Sequence, residues 1–204
     1  MIELLACRLG RNDEAPNIAL AEKLCEDTNV EGVREIADGL QSSDQAAAND
    51  CIKVLYEIGY RQPGLIADFA NVFITALASR NNRIVWGSMT ALSYIAPLQP
   101  NALYARLPEI IAAYQKGSVI TVDNSISVFA HLCNASETYG ARIFPLLLEH
   151  LATCRAKDIP QHAERMAVCI DARNKEAFTH ALHARLGELS ETQKSRVLKL
   201  MKRF

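Results

Sequence analysis

Val33-Arg34-Glu35-Ile36-Ala37-Asp38-Gly39-Leu40 and, 37 residues further on, Ala70-Asn71-Val72-Phe73-Ile74-Thr75-Ala76-Leu77 both place apolar side chains at i, i+3, i+4 and i+7. That spacing is the stripe of an amphipathic helix, not the alternation of a strand. The same step extends along the chain. Ile36 leads to Phe73, Ile110, Leu147 and Ala184. Ala37 leads to Ile74, Ile111, Leu148 and Arg185, Val33 to Ala70, Leu107, Phe144 and Ala181, and Leu40 to Leu77, Tyr114 and Leu151. A second set of columns runs between these. Ile18 leads to Leu55, Leu92, Phe129 and Met166, and Ala21 to Ile58, Ile95, Leu132 and Cys169. Arg185 is the one break in these apolar columns.

Two amphipathic helices in each 37-residue period make a helical hairpin. A single hairpin cannot bury its apolar face, so successive hairpins must stack. Punctuation agrees. Pro63 and Pro100 are one period apart, each after an apolar helix, and proline suits a first helical turn. Asn29, Ser43, Asn82, Ser118 and Ser190 are candidate N-caps, and Gly117 suits a C-terminal turn. The pattern predicts helices near 2–10, 14–26, 30–40, 43–60, 64–79, 82–96, 101–116, 119–133, 137–154, 158–171, 174–187 and 190–203.

Composition narrows the function classes. Half of the 204 residues are hydrophobic, which is enough for a core. The 22 Lys and Arg against 23 Asp and Glu leave a net charge of −1, without the basic excess of a generic nucleic-acid binder. The opening MIELLACRLGRNDE lacks a basic n-region, so no signal peptide is expected. The most apolar stretch, Gly64 to Ser79, is broken by Asp68 and Asn71, so no membrane span is expected. None of the six cysteines falls in a CxxC pair; they read as reduced, mostly core residues of a cytoplasmic protein.

The segment from Asn82 to Ala96, with its charged opening, small residues mid-helix and Ala91-Leu92-Ser93-Tyr94-Ile95-Ala96 ending, resembles the second helix of a HEAT or armadillo-type repeat. Leu107-Pro108-Glu109-Ile110-Ile111 and Phe144-Pro145-Leu146-Leu147-Leu148 resemble the first-helix start of that family. The resemblance implies an all-α fold: a right-handed α-α superhelix, a solenoid of about five HEAT-like helix pairs. It would form one domain over 1–204, with the last helix, 190–203, as a C-terminal cap. It also implies a concave surface, lined by the second helices, that holds a protein or peptide. Two other activities occur in such folds, DNA-alkylation repair and cofactor-handling by lyase- or chaperone-like helpers, and both stay open as alternatives.

The second helices carry a polar register beside their apolar stripe. The step of 37 gives Asn49, Trp86, Asp123 and Pro160, then Asp50, Gly87, Asn124 and Gln161, and one turn on Lys53, Thr90, Ser127 and Glu164. Asn and Asp side chains at regular spacing can hydrogen-bond an extended peptide backbone. The candidate binding residues are therefore Asn49, Asp50, Lys53, Trp86, Thr90, Asp123, Asn124, Ser127, Gln161 and Glu164. The same positions also suit a plain solvated face, and Trp86 suits either an aromatic anchor or inter-repeat packing. For Asp123 and Asn124, inside an apolar helix, a partner within the protein is expected.

Metal and nucleophile patterns read as packing or surface. His180 and His183 lie at i and i+3 without the HExxH order, and His150 and Cys154 lie at i and i+4 without a visible third group. No catalytic residue, metal or cofactor is assigned, and the expected function is a non-enzymatic scaffold. The stretch from Glu22 to Asp44 is acidic and the last helix, with Lys194, Arg196, Lys199, Lys202 and Arg203, is basic. These two ends suggest salt-sensitive self-association.

Overall fold

The computed structural model describes all 204 residues, and they form helices and short 3-10 turns without a strand. The helices are α1 (Ala15–Glu26), α2 (Val30–Asp38), α3 (Gln45–Arg61), α4 (Ala70–Ala76), α5 (Asn82–Ile95), α6 (Pro100–Ala105), α7 (Leu107–Lys116), α8 (Val119–Ala135), α9 (Glu137–Thr153), α10 (Ile159–Met166), α11 (Lys175–Arg185) and α12 (Glu191–Met201). The chain divides into two compact units, Met1–Ser125 and Ile126–Phe204, and the division falls inside α8.

In the first unit the elements pack in the order the columns require. α2 lies on α3 and α4 on α5, forming hairpins, while α1, α3 and α5 pack successively and α4 packs on α6. In the second unit α9 pairs with α10, α9 packs on α11 and α10 on α12. First helices thus neighbour first helices, and second helices neighbour second helices. The columns are the reason. Leu55, Leu92, Phe129 and Met166 are fully buried, as are Ala21, Ile58, Ile95 and Leu132. Ile36, Phe73, Ile110 and Leu147 form the matching buried row on the first helices. Each such Leu, Ile, Phe or Met side chain contributes about 1.5–3 kcal/mol by leaving water.

Several boundaries differ from the pattern. The helix expected over 2–10 is a 3-10 turn at Ile2–Leu4 followed by turns. That over 64–79 is two 3-10 turns, Pro63–Leu65 and Ala67–Phe69, ahead of the short α4. That over 101–116 breaks at Arg106 into α6 and α7. Pro108 fits the last: it has no N–H to give the Tyr104 carbonyl, so the backbone ladder is interrupted there, and it sits in the first turn of α7. Pro145, in the equivalent sequence context, lies inside α9 without ending it. The span 158–171 closes as α10 plus a 3-10 turn at Ala167–Cys169.

The caps shift by one residue. Asp44, not Ser43, accepts from Ala46 N–H, and Asn81, not Asn82, accepts from Arg83 N–H. Asn29 and Ser190 cap as expected, Ser190 within a reciprocal capping box with Gln193. Gly117 ends α7 in an extended conformation, with φ −78°, rather than in a left-handed turn.

Candidate functional site

The best-defined surface constellation lies in the first unit, where α3 and α5 run side by side. Gly87 sets their approach: a Cβ there would lie 2.5 Å from Ile52 Cγ1. With the backbones this close, the Tyr56 and Trp86 rings stand 5.6 Å apart, centroid to centroid. One turn along α3, Tyr60 meets Tyr94 edge-on at 6.0 Å. Tyr60 is 69% exposed, and Trp86 is half-buried. The two pairs form an aromatic seam between the helices. Arg83, one turn before Trp86, holds its guanidinium 6.0 Å from the indole, and Lys53 Nζ stands 4.9 Å from the Tyr56 ring, both within cation–π range.

A chain of ion pairs borders the seam. Glu22 accepts from Arg61, Arg61 donates to Glu57, Glu57 accepts from Lys53 at 2.8 Å, Lys53 reaches Glu14 at 2.9 Å, and Glu14 accepts from Arg83 at 2.5 Å. Burial alone would lower the Lys53 ammonium pKa, but its bonds to Glu57 and Glu14 outweigh that and raise it above the ordinary lysine value. Burial likewise pushes the Glu57 and Glu14 carboxyls up, and the cations beside them win, leaving both below the usual range. Lys53 is therefore a buried, paired cation rather than an open contact point.

The polar register of the second helices is largely used within the protein. Asn49 accepts from Asn81 Nδ2 at 2.8 Å, and Asp50 accepts from the Cys7 N–H at 2.8 Å. Thr90 donates to the Trp86 carbonyl and accepts from Asn124 Nδ2, each at 2.8 Å, and Asn124 donates also to the Ile120 carbonyl. Asp123 is half-buried. In the second unit Ser127 accepts from Arg165 at 2.6 Å, Glu164 is exposed and paired with Arg196, and Gln161 is half-buried. The structure thus gathers Asn49, Lys53, Trp86, Thr90 and Asn124 along α3, α5 and the start of α8. It places Ser127, Gln161 and Glu164 in the other unit.

Arg83, Tyr56, Tyr60, Tyr94, Glu14 and Glu57 were not singled out by the sequence. Tyr56 and Tyr60 at i and i+4 on α3 were the available signal. It was hidden because neither repeats: the step of 37 leads from Tyr56 to Ser93 and from Tyr60 to Pro97.

The second unit carries a cleft of about 450 Å³ lined by residues that include Cys133, Phe144, Pro145, Cys169, Arg173 and Asn174. The contact with Cys133, and then burial, push the Cys169 thiol pKa up. His180 and His183 are exposed on α11. His131 is half-buried, and burial lowers its pKa. No helix is long and apolar enough to cross a membrane.

No protein-family profile and no curated protein sequence matches the chain. Solved structures do. An engineered protein from a structural-genomics consortium aligns over 99% of this chain and 94% of its own, with a TM-score of 0.69 at 17% identity. A designed armadillo repeat protein aligns over 99% of each chain, with a TM-score of 0.68 at 11% identity. A structure describing a phosphorylation switch in the interaction between cadherin and β-catenin aligns over 98% of this chain and 43% of its own, with a TM-score of 0.63 at 15% identity. The fold is that of the armadillo and HEAT-type repeat proteins, an all-α superhelical repeat.

Proposed function

We propose that this chain is a non-enzymatic repeat scaffold that binds an extended protein or peptide segment on the face formed by its second helices, the concave face of armadillo-type folds. The observation that carries the reading is the aromatic seam of Tyr56, Trp86, Tyr60 and Tyr94, bordered by Arg83. Aromatic side chains with a nearby arginine are the residue types that dominate binding hot spots. The Asn49–Asn81 and Thr90–Asn124 pairs beside it can exchange a side-chain partner for a peptide amide at little cost. Related support comes from a fold neighbour: computationally designed armadillo repeat proteins made for modular peptide recognition align over 93% of this chain with a TM-score of 0.64.

Trp86 is the only tryptophan, so its emission reports this face alone. Peptides selected on the purified chain should shift that emission on binding. Trp86→Ala and Asn49→Ala together should weaken their capture about tenfold or more, a typical hot-spot loss of at least ~1.4 kcal/mol, with helicity unchanged. Selected peptides that bind the double variant with unchanged Kd would remove the proposed face.

A further inference from the structure

At the turn between α9 and α10 three metal-binding side chains converge. His150 lies in the last turn of α9, Cys154 is the residue that ends that helix, and His162 is on α10. His150 Nε2 and His162 Nδ1 stand 2.8 Å apart, and their rings are tilted at 55° with centroids 4.7 Å apart. A donor atom from each of the three residues lies within 4.8 Å of the other two. His150 is 5% and His162 1% exposed, and Cys154 is half-buried.

We propose that His150, Cys154 and His162 form a site for a borderline-soft divalent metal of the Zn²⁺ class, closing the α9–α10 hairpin across its turn. Two imidazoles and a thiolate suit zinc, whereas magnesium and calcium demand oxygen donors. A nitrogen–nitrogen contact of this kind requires one ring to present a lone pair to the other, so a metal-competent nitrogen already points into the shared space. Zinc bonds of about 2.0–2.3 Å set neighbouring donors about 3.3–3.7 Å apart. The two nitrogens need to separate by roughly 0.5 Å to admit the ion, a movement within reach of small ring rotations. Three protein donors leave a fourth position for water or a ligand.

The surrounding charge is compatible with a cation. Arg185 lies nearby but donates to the Leu151 and Cys154 carbonyls and is held by both oxygens of Glu188, so its charge is locally balanced. Asp158, the next charged group, is paired with Arg155. A metal-free thiol, with an ordinary pKa of about 8.5, carries its proton at neutral pH. Metal entry then exchanges that proton for the ion: the thiol proton is released to solvent, the imidazole that donates in the His150–His162 contact moves its N–H to its other ring nitrogen, and no oxidation state changes.

The test uses the full chain, stripped with a chelator and titrated with Co²⁺ and then Zn²⁺. A thiolate-to-cobalt charge-transfer band with tetrahedral visible bands is expected, displaced by an equivalent of Zn²⁺, with about one proton released per ion. Cys154→Ser should abolish the band, and His162→Gln should weaken Zn²⁺ binding by more than the roughly 10–100-fold that supporting residues typically account for. Both variants are checked for native helicity. As a control for folding effects, His180→Gln, at an exposed position on α11, should bind the metal as the unaltered chain does. No band at tenfold Co²⁺ excess, or a band of full amplitude in Cys154→Ser arising from another of the six cysteines, would overturn the assignment.

Discussion

Lys53 shows what a single side chain does in this protein. It is buried and bonded to two carboxylates, Glu57 on its own helix and Glu14 just ahead of α1. Removing it leaves Glu14 and Glu57 facing each other without their shared cation, which is costlier than losing an exposed pair. Because Glu14 is 43% exposed, solvent screens part of that cost. Lys53→Met should therefore lower stability by about 1–3 kcal/mol at neutral pH, read as a lower denaturation midpoint in urea. The sign with pH follows from the carboxyls. Glu57 and Glu14 have folded pKa values below their ordinary 4.5, so their contribution is complete above that pH and is lost as pH falls through the folded values. The gap between the variant and the unaltered chain should thus narrow below about pH 4.5. A gap that stays constant to pH 3 would mean the ion pairs are not its source.

Arg185 teaches a related lesson. It breaks an apolar column, and sequence alone offers no reason for it. In the structure its guanidinium caps the last carbonyls of α9 at 2.8 and 2.9 Å. The break is thus a hydrogen-bonding solution to a helix end, one that becomes visible only when α11 lies beside α9.

At the level of elements, the α3–α5 contact depends on Gly87. Gly87→Ala would force a methyl against Ile52, and overpacking of this kind costs about 1–3 kcal/mol. Gly187, in the 3-10 turn after α11, has nothing within 4 Å of the equivalent Cβ position, so Gly187→Ala should be neutral or slightly stabilising. Thermal melts of both variants check the contrast, and equal losses would place the effect in backbone strain rather than in packing. Elements were also where the sequence was most legible. The columns through Leu55, Leu92, Phe129 and Met166 were readable because burial repeats with the helix period. The break in the 101–116 span was not legible, because apolar periodicity continues on either side of it and Pro108 alone does not decide it: Pro145, in the equivalent context, lies inside α9. The aromatic seam and the His150–His162 contact were not legible. Each joins residues on neighbouring helices at a separation that differs from the repeat period: Tyr56 to Trp86 is 30 residues and His150 to His162 is 12. Only three-dimensional stacking brings such residues together. The i, i+4 pair of His150 and Cys154 was seen, but its third member was on the next helix.

For the whole molecule, charge separates the competing readings. The net charge is −1, and the cations beside the aromatic seam, Lys53, Arg61 and Arg83, are each matched with an acid. Nucleic-acid binding requires unneutralised cations that displace condensed counterions. Filter binding with duplex DNA at low salt should accordingly give weak, unsaturating retention. Tight binding that falls steeply with salt would favour the nucleic-acid reading over the peptide scaffold.

The cap that Arg185 provides also bears on where the second unit can be cut. The two carbonyls it holds lie 34 and 31 residues earlier in the chain. A fragment ending before α11 would forfeit that helix's own packing and also strip the terminus of α9, leaving two main-chain acceptors exposed beside the α9–α10 turn. Any minimal version of this half of the protein must therefore run through residue 185 and retain Glu188 to steady it.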